Sequence, residues 1–339
     1  MVARPRIPLS SLSFLGQGLN RPECVLAHSS GLLIASDWTG NGGVALLSPE
    51  GIVRRVLCRD DQPRLRPNGI ALEPEGRLLL AHLGADDGGV FRLFPDGTTE
   101  PLLTEVNGHP LPPTNFVLRQ NDERLWITVS TTARPRSAAY RKDVADGFVV
   151  LLEGGDARIA ADGLGYTNEC LVGPDGGTLF VNETFVRRTS AFSIGRDGQL
   201  GPRRTVTSYG EGCFPDGLAM DRDGGLWVTS IASNRVIRVL SDGRQEVMLE
   251  DSDSDHLDWV ETAYRGDAMG RPHLDKISSR RLANISSLAF GGPDLSTAFL
   301  GCLLGDRIAY FTAPLPGLPP PHWTADLGPL AAPVSENAT

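Results

Sequence analysis

Short apolar runs alternate with polar turns along the chain, and the alternation recurs as a unit. In "PDGLAMDRDGGLWVTS" (215–230) an apolar run, a turn rich in Asp and Gly, and a second apolar run predict a β-hairpin. The same plan returns in "PECVLAHSSGLLIASDW" (22–38), "PNGIALEPEGRLLLAHLG" (67–84), "PTNFVLRQNDERLWITVS" (113–130), "TNECLVGPDGGTLFVNET" (167–184) and "ISSLAFGGPDLSTAFLG" (285–301). A second hairpin follows in stretches such as "GGVFRLFPDGTTEPL" and "RVIRVLSDGRQEVML", and two hairpins make a four-stranded antiparallel unit. With Glu23, Asn68, Asn115, Asn168, Asp216 and Ser287 as matching points, the intervals are 45, 47, 53, 48 and 71 residues. Units of about 40–50 residues with four strands are the blades of a β-propeller.

The pattern therefore predicts an all-β fold, a single six-bladed β-propeller over residues 1–315 with four antiparallel strands per blade. The last blade takes its third strand from "DRIAYFTAP" (306–314) and its fourth from "SLSFLGQG" (11–18), closing the ring between the two ends of the chain. The long last interval holds an insertion at about 251–284, and the Pro-rich stretch 316–339 is read as a tail that covers the surface or is disordered. No helical period persists long enough to compete with the strands.

In a propeller the first strand of every blade lines the central channel, so the six matching points are expected on one ring at its mouth. All six carry oxygen donors. A single Asn or Asp beside Pro or Gly reads as a turn former; six in register read as a polar ring. Carboxylates and amide carbonyls without His or Cys suit a hard cation such as Ca²⁺ or Mg²⁺.

The segments "RPEC", "PTNFVLRQNDERLWIT", "YTNECLVGPDGGTLFVNET", "FPDGLAMDRDGGLWVTS" and "ISSLAFGGPDLSTAFLG" resemble the regucalcin/gluconolactonase family, the senescence-marker-protein group, over about residues 15–315. The resemblance implies a six-bladed propeller with one divalent metal ion at the channel mouth, Ca²⁺ first and Zn²⁺, Mg²⁺ or Mn²⁺ as alternatives. It implies that Glu23, Asn168 and Asp216 are the protein ligands and that Asp216 is also the proton acceptor. Asn115 would then be a near ligand or substrate contact, and Ser286 and Ser287 fall where the family carries small polar residues. The family's substrate-gripping Arg has no counterpart before Asn115, where "GHPLPPTN" offers only His109. The implied activity is metal-dependent hydrolysis of a small lactone, with the carbonyl polarised by the metal and a water activated. Asn68, Asn115, His109 and Ser287 are the candidate substrate contacts, and Glu169 or Glu183 could share the work on the water. Hydrolysis of another electrophile such as a phosphotriester, or a non-catalytic propeller binding calcium or a partner, are the alternatives.

The rest of the sequence narrows the picture. A net charge of −9 argues against nucleic-acid and anionic-membrane surfaces and names no partner itself; the small-molecule lactone is the partner that the resemblance implies. Five scattered cysteines, no signal-peptide-like stretch and no membrane-length apolar run predict a soluble cytoplasmic protein with reduced thiols. "DSDSDHLDW" (251–259) imitates an EF-hand, yet His256 stands where the loop needs Gly and Thr262 where it needs Glu, so a solvated acidic loop is expected. Trp126 and Trp227 recur at one place in the second strand of two repeats and are expected to pack between blades.

Overall fold

The computed structural model describes residues 6–331; the first five residues of the expected domain and the last eight of the expected tail lie outside the described residues. Six four-stranded antiparallel sheets follow one another along the chain, with one small two-stranded hairpin between the second and third. They are the blades of a six-bladed propeller. Their inner strands are Val25–Ala27, Pro67–Leu72, Thr114–Arg119, Thr167–Val172, Cys213–Met220 and Ile285–Gly291, each packed on the next around the ring. The sixth blade is closed as the sequence predicts: Ile308–Thr312 pairs antiparallel with Ser13–Leu15, in the register Ser13↔Tyr310 and Leu15↔Ile308.

The second strands explain why periodicity is weak in the repeats. Leu78–Leu83 and Leu226–Ala232 are buried at every residue, because a blade is covered by a neighbour on both faces. Trp126 and Trp227 are fully buried there, with Trp227 Nε1 donating to Asp221 (2.8 Å). Where blades meet nearest the axis, two positions leave no room for a side chain. A Cβ on Gly217 would stand 2.4 Å from Ser286 O, and one on Gly69 would stand 2.7 Å from Phe116 Cα.

The insertion is helical, which corrects the expectation of an acidic loop. Asp253 caps helix α1 (Ser254–Arg265) by accepting from His256 N at 2.8 Å, and a short second helix, α2 (Arg271–Leu274), follows. Asp251 is buried and accepts the N–H groups of Arg281 (2.7 Å) and Leu282 (2.8 Å). The inner face of α1 consists of His256, Val260, Glu261 and Tyr264, so an apolar stripe was hardly present to be read. Beyond Ala313 the chain crosses the opposite end of the propeller: Leu318 N donates to Met220 O (2.9 Å), and Leu318–His322 lie across that end of the channel.

One buried ion pair fixes the approach to blade 4. Glu183, fully buried, accepts from Arg188 Nε (2.6 Å) and from Gly165 N (2.7 Å), two residues before the inner strand begins. It is therefore held away from the channel, by Arg188 and the backbone. Replacing it by Ala strands the Arg188 charge and the Gly165 N–H; since Arg188 keeps a fifth of its side chain in solvent, the loss is placed at about 3 kcal/mol, the low end for such pairs. Urea unfolding of Glu183→Ala measures it, and an unchanged midpoint would mean that the pair does not anchor blade 4.

Candidate functional site

Each of the five inner strands from blade 2 to blade 6 breaks register at its ring residue. Pairing jumps from Pro67 to Ile70, from Thr114 to Phe116, from Thr167 to Cys170, from Pro215 to Leu218 and from Ile285 to Leu288. The extra residue is a β-bulge, which lifts a side chain out of the ladder and re-aims it. Asn68, Asn115, Asn168 and Asp216 all sit in these bulges, and Glu23 precedes the first paired residue of its strand, Val25. All five are buried. The register assigns the sixth position to Ser286 rather than to the matching point Ser287, which falls one residue further along the strand with Glu169, Gly217 and Gly69.

A bulge frees backbone carbonyls from the ladder, and the neighbouring blade supplies the donors. Asn182 Nδ2 reaches Asp216 O (3.0 Å) and Gly217 O (3.2 Å), while Thr184 Oγ1 donates to Pro215 O (2.8 Å). Thr229 Oγ1 donates to Ser286 O (2.5 Å), Ser286 Oγ to Glu23 O (2.8 Å), and Asn68 Nδ2 to Asn115 O (3.0 Å). These bonds account for a set of buried polar residues that would otherwise be costly.

They also orient two amides. The Thr184 hydroxyl gives its proton to Pro215 O, so toward Asn168 it only accepts, and the Asn168 NH₂ must face it (3.0 Å). A backbone carbonyl fixes the Asn68 NH₂ in the same way. The carbonyl oxygens of Asn68 and Asn168 are consequently buried with no hydrogen-bond partner. Asn115 donates to Ser130 Oγ (3.0 Å), its own oxygen meeting only the Asn68 NH₂ at 3.4 Å.

Among the described residues no group of three or more His, Cys, Asp or Glu is arranged to hold a metal. The ring offers a different donor set, the carboxylates of Glu23 and Asp216 with unpartnered amide oxygens beside them. That chemistry fits a hard divalent cation: oxygen ligands only, two charges, and carbonyls aimed at nothing else. Burial, and then the charges of Glu23 and Glu169, push the Asp216 carboxyl well above its ordinary value. Burial pushes Glu169 up to about 8, against hydrogen bonds from Leu218 N (3.0 Å) and Ser287. Arg21 holds Glu23 through Nε (2.9 Å) and stacks over Trp38, 4.7 Å from the ring centroid.

Below the ring the channel widens into a cavity of ≈ 160 Å³ lined by Cys24, Ile70, Phe116, Glu169 and Ser287 and closed by Leu318–His322. His109 is exposed on the small hairpin, paired with Val106, with no hydrogen bond to a ring residue. Sequence reasoning missed Arg21 and Arg136, which is half-buried and donates to Tyr166 (2.8 Å) two residues before Asn168. Arg21 adjoins a matching point in sequence and could have been noticed; Arg136, in a loop outside the repeat, gave no such signal.

A carboxyl whose value is raised on folding stabilises the fold while protonated, and that contribution is lost as pH rises through the folded value. In chelator-treated protein the thermal midpoint is therefore expected to fall from about pH 5 to about pH 8 and to level off above that, the window between an ordinary glutamate and the Glu169 value of about 8. Glu169→Gln should flatten that fall, and an equally steep profile in the variant would assign it to other groups.

Residues 82–250 match the family model described as the SMP-30/gluconolactonase/LRE-like region. Among solved structures, a gluconolactonase of Xanthomonas campestris superposes with a TM-score of 0.65 at 22% identity, covering 93% of this chain and 99% of its own. The calcium-binding protein regucalcin of Agrobacterium tumefaciens gives 0.63 at 15% identity, covering 93% of this chain and 97% of its own. A luciferin-regenerating enzyme gives 0.65 at 13% identity, covering 93% of this chain and 100% of its own. These structures share the propeller fold, and the family match runs from the second strand of blade 2 to the end of blade 5, which includes Asn115, Asn168 and Asp216; Glu23 and Asn68 precede it. The chain belongs to the SMP-30/gluconolactonase/LRE-like family.

Proposed function

We propose that this protein opens a small lactone by hydrolysis at the channel mouth, with one divalent cation held by Glu23, Asn168 and Asp216. The observation that carries this reading is the pair of buried amide oxygens without partners beside two buried carboxylates. Calcium is the first expectation for an all-oxygen donor set of this kind, with magnesium, manganese and zinc as alternatives. A cation bound there supplies Lewis-acid polarisation of the lactone carbonyl.

The chain's own residues do the rest. Asn115, tied back to Ser130, presents its amide to the substrate in a fixed orientation, and Asn68 offers a second oxygen to a substrate hydroxyl. Asp216 takes the proton of the attacking water, and its surroundings favour that acceptance by raising its affinity for protons. Glu169 is close enough to Asp216 to influence its charge, and its hydrogen bond from Leu218 N keeps it in place. Tyr140, Tyr166, Phe185 and Phe214 form a buried aromatic cluster with ring-to-ring contacts of 4.4–5.7 Å, and it anchors the backbone that leads to Asn168 and Asp216.

A pH-indicator assay over aldono-, aliphatic and aromatic lactones tests the reading. Acid release is expected to disappear with chelator and to return with one added cation. Loss of a positioned base costs about 10²–10⁴-fold, so Asp216→Asn should fall in that range. Protein that binds a cation and opens no lactone in the panel would remove this reaction and leave the ring as a cation-binding site.

A further inference from the structure

The loop between the second and third strands of blade 3, residues 130–146, carries Arg136 and packs against Tyr166, two residues before the ring residue Asn168. Its guanidinium donates to Tyr166 Oη (2.8 Å) and lies 5.8 Å from that ring's centroid. Its Nε is buried without a partner, and among the described residues no carboxylate lies within 4 Å of Arg136. Glu23, on the ring itself, is close enough for its charge to act on it. The arginine is held in place by its surroundings. Ser130 is tied to Asn115 (3.0 Å), Asp146 accepts from Thr131 Oγ1 (2.6 Å) and Thr132 N (3.0 Å), and Tyr166 is wedged edge-on against Tyr140 and Phe185.

A half-buried guanidinium with a sheltered, unpartnered Nε and no carboxylate beside it is completed by an anion. The ring carboxylate whose charge reaches it, Glu23, is already held by Arg21 at 2.9 Å. Arg136 is then left as a positive charge without an acid partner, with Arg66 exposed over Trp38 at 5.6 Å. We infer that Arg136 grips a carboxylate carried by the substrate itself, so that the preferred substrate is an acid lactone, a ring ester bearing a free carboxylate. This deepens the lactone reading above and rests on it for the word lactone; the anion site stands on the guanidinium alone.

The test compares D-glucaro-1,4-lactone with D-glucono-1,4-lactone, the same ring with a hydroxymethyl group in place of the carboxylate, in wild type, Arg136→Gln and Arg136→Lys. Binding of the open acids D-glucarate and D-gluconate to the calcium-supplemented protein is measured alongside by calorimetry. Wild type is expected to prefer the acid lactone by at least about tenfold in kcat/KM and to bind D-glucarate more tightly than D-gluconate. Arg136→Gln should abolish both preferences, chiefly through KM, and Arg136→Lys should keep part of each. Equal losses on both lactones in Arg136→Gln, or no preference in wild type for either probe bearing the extra carboxylate, would overturn the inference and leave the lactonase reading intact. If neither lactone is opened while D-glucarate still binds through Arg136, the lactonase reading falls and the anion site remains.

Discussion

Side-chain donors from one blade hold the bulged backbone of the next, and the site depends on that connection. A strand in unbroken register turns its side chains alternately to the two faces of its own sheet. To place a side chain on the common axis the ladder has to be broken, and a broken ladder leaves carbonyls that need donors. Asn182 and Thr184 meet that need for Pro215, Asp216 and Gly217, Thr229 meets it for Ser286, and Ser286 in turn for the Glu23 carbonyl. The bonds that satisfy the backbone also fix the amide of Asn168, whose oxygen is left facing nothing. Structural and functional polarity are thus the same network seen from its two ends.

The charges at the mouth follow from this burial. Asp216 and Glu169 are both pushed toward the protonated form, Asp216 by burial and the charges of Glu23 and Glu169, and Glu169 by burial with a contribution from Glu23. Two arginines, Arg21 and Arg136, approach from loops, one paired with Glu23 and the other with no acid within reach. A site built this way is incomplete in two respects, with acids that favour a cation and a guanidinium that favours an anion. The aromatic packing of Tyr140, Tyr166 and Phe185 holds the second feature near the first.

The blade plan was legible because each repeat states its own hairpin, and the closing strand Ser13–Leu15 because the sixth repeat lacks a fourth strand of its own. The ring positions were legible from registered Asn and Asp residues, although the sixth is Ser286 and not Ser287, since repeat spacing does not locate a bulge to the residue. Helix α1 was missed because its buried face includes His256 and Glu261, which leaves little apolar period. The orientation of the amides, the commitment of Glu183 to Arg188 and the isolation of Arg136 are all products of tertiary contacts. No local pattern carries them.

The most direct measurement is a crystal structure of the protein soaked in calcium, with anomalous scattering used to locate the ion. One peak on the axis, about 2.3–2.6 Å from the Asn168 carbonyl oxygen and from carboxylate oxygens of Glu23 and Asp216, is the predicted result. A ring that stays free of the ion at saturating calcium, with the Asn68 and Asn168 oxygens satisfied by water alone, would contradict it.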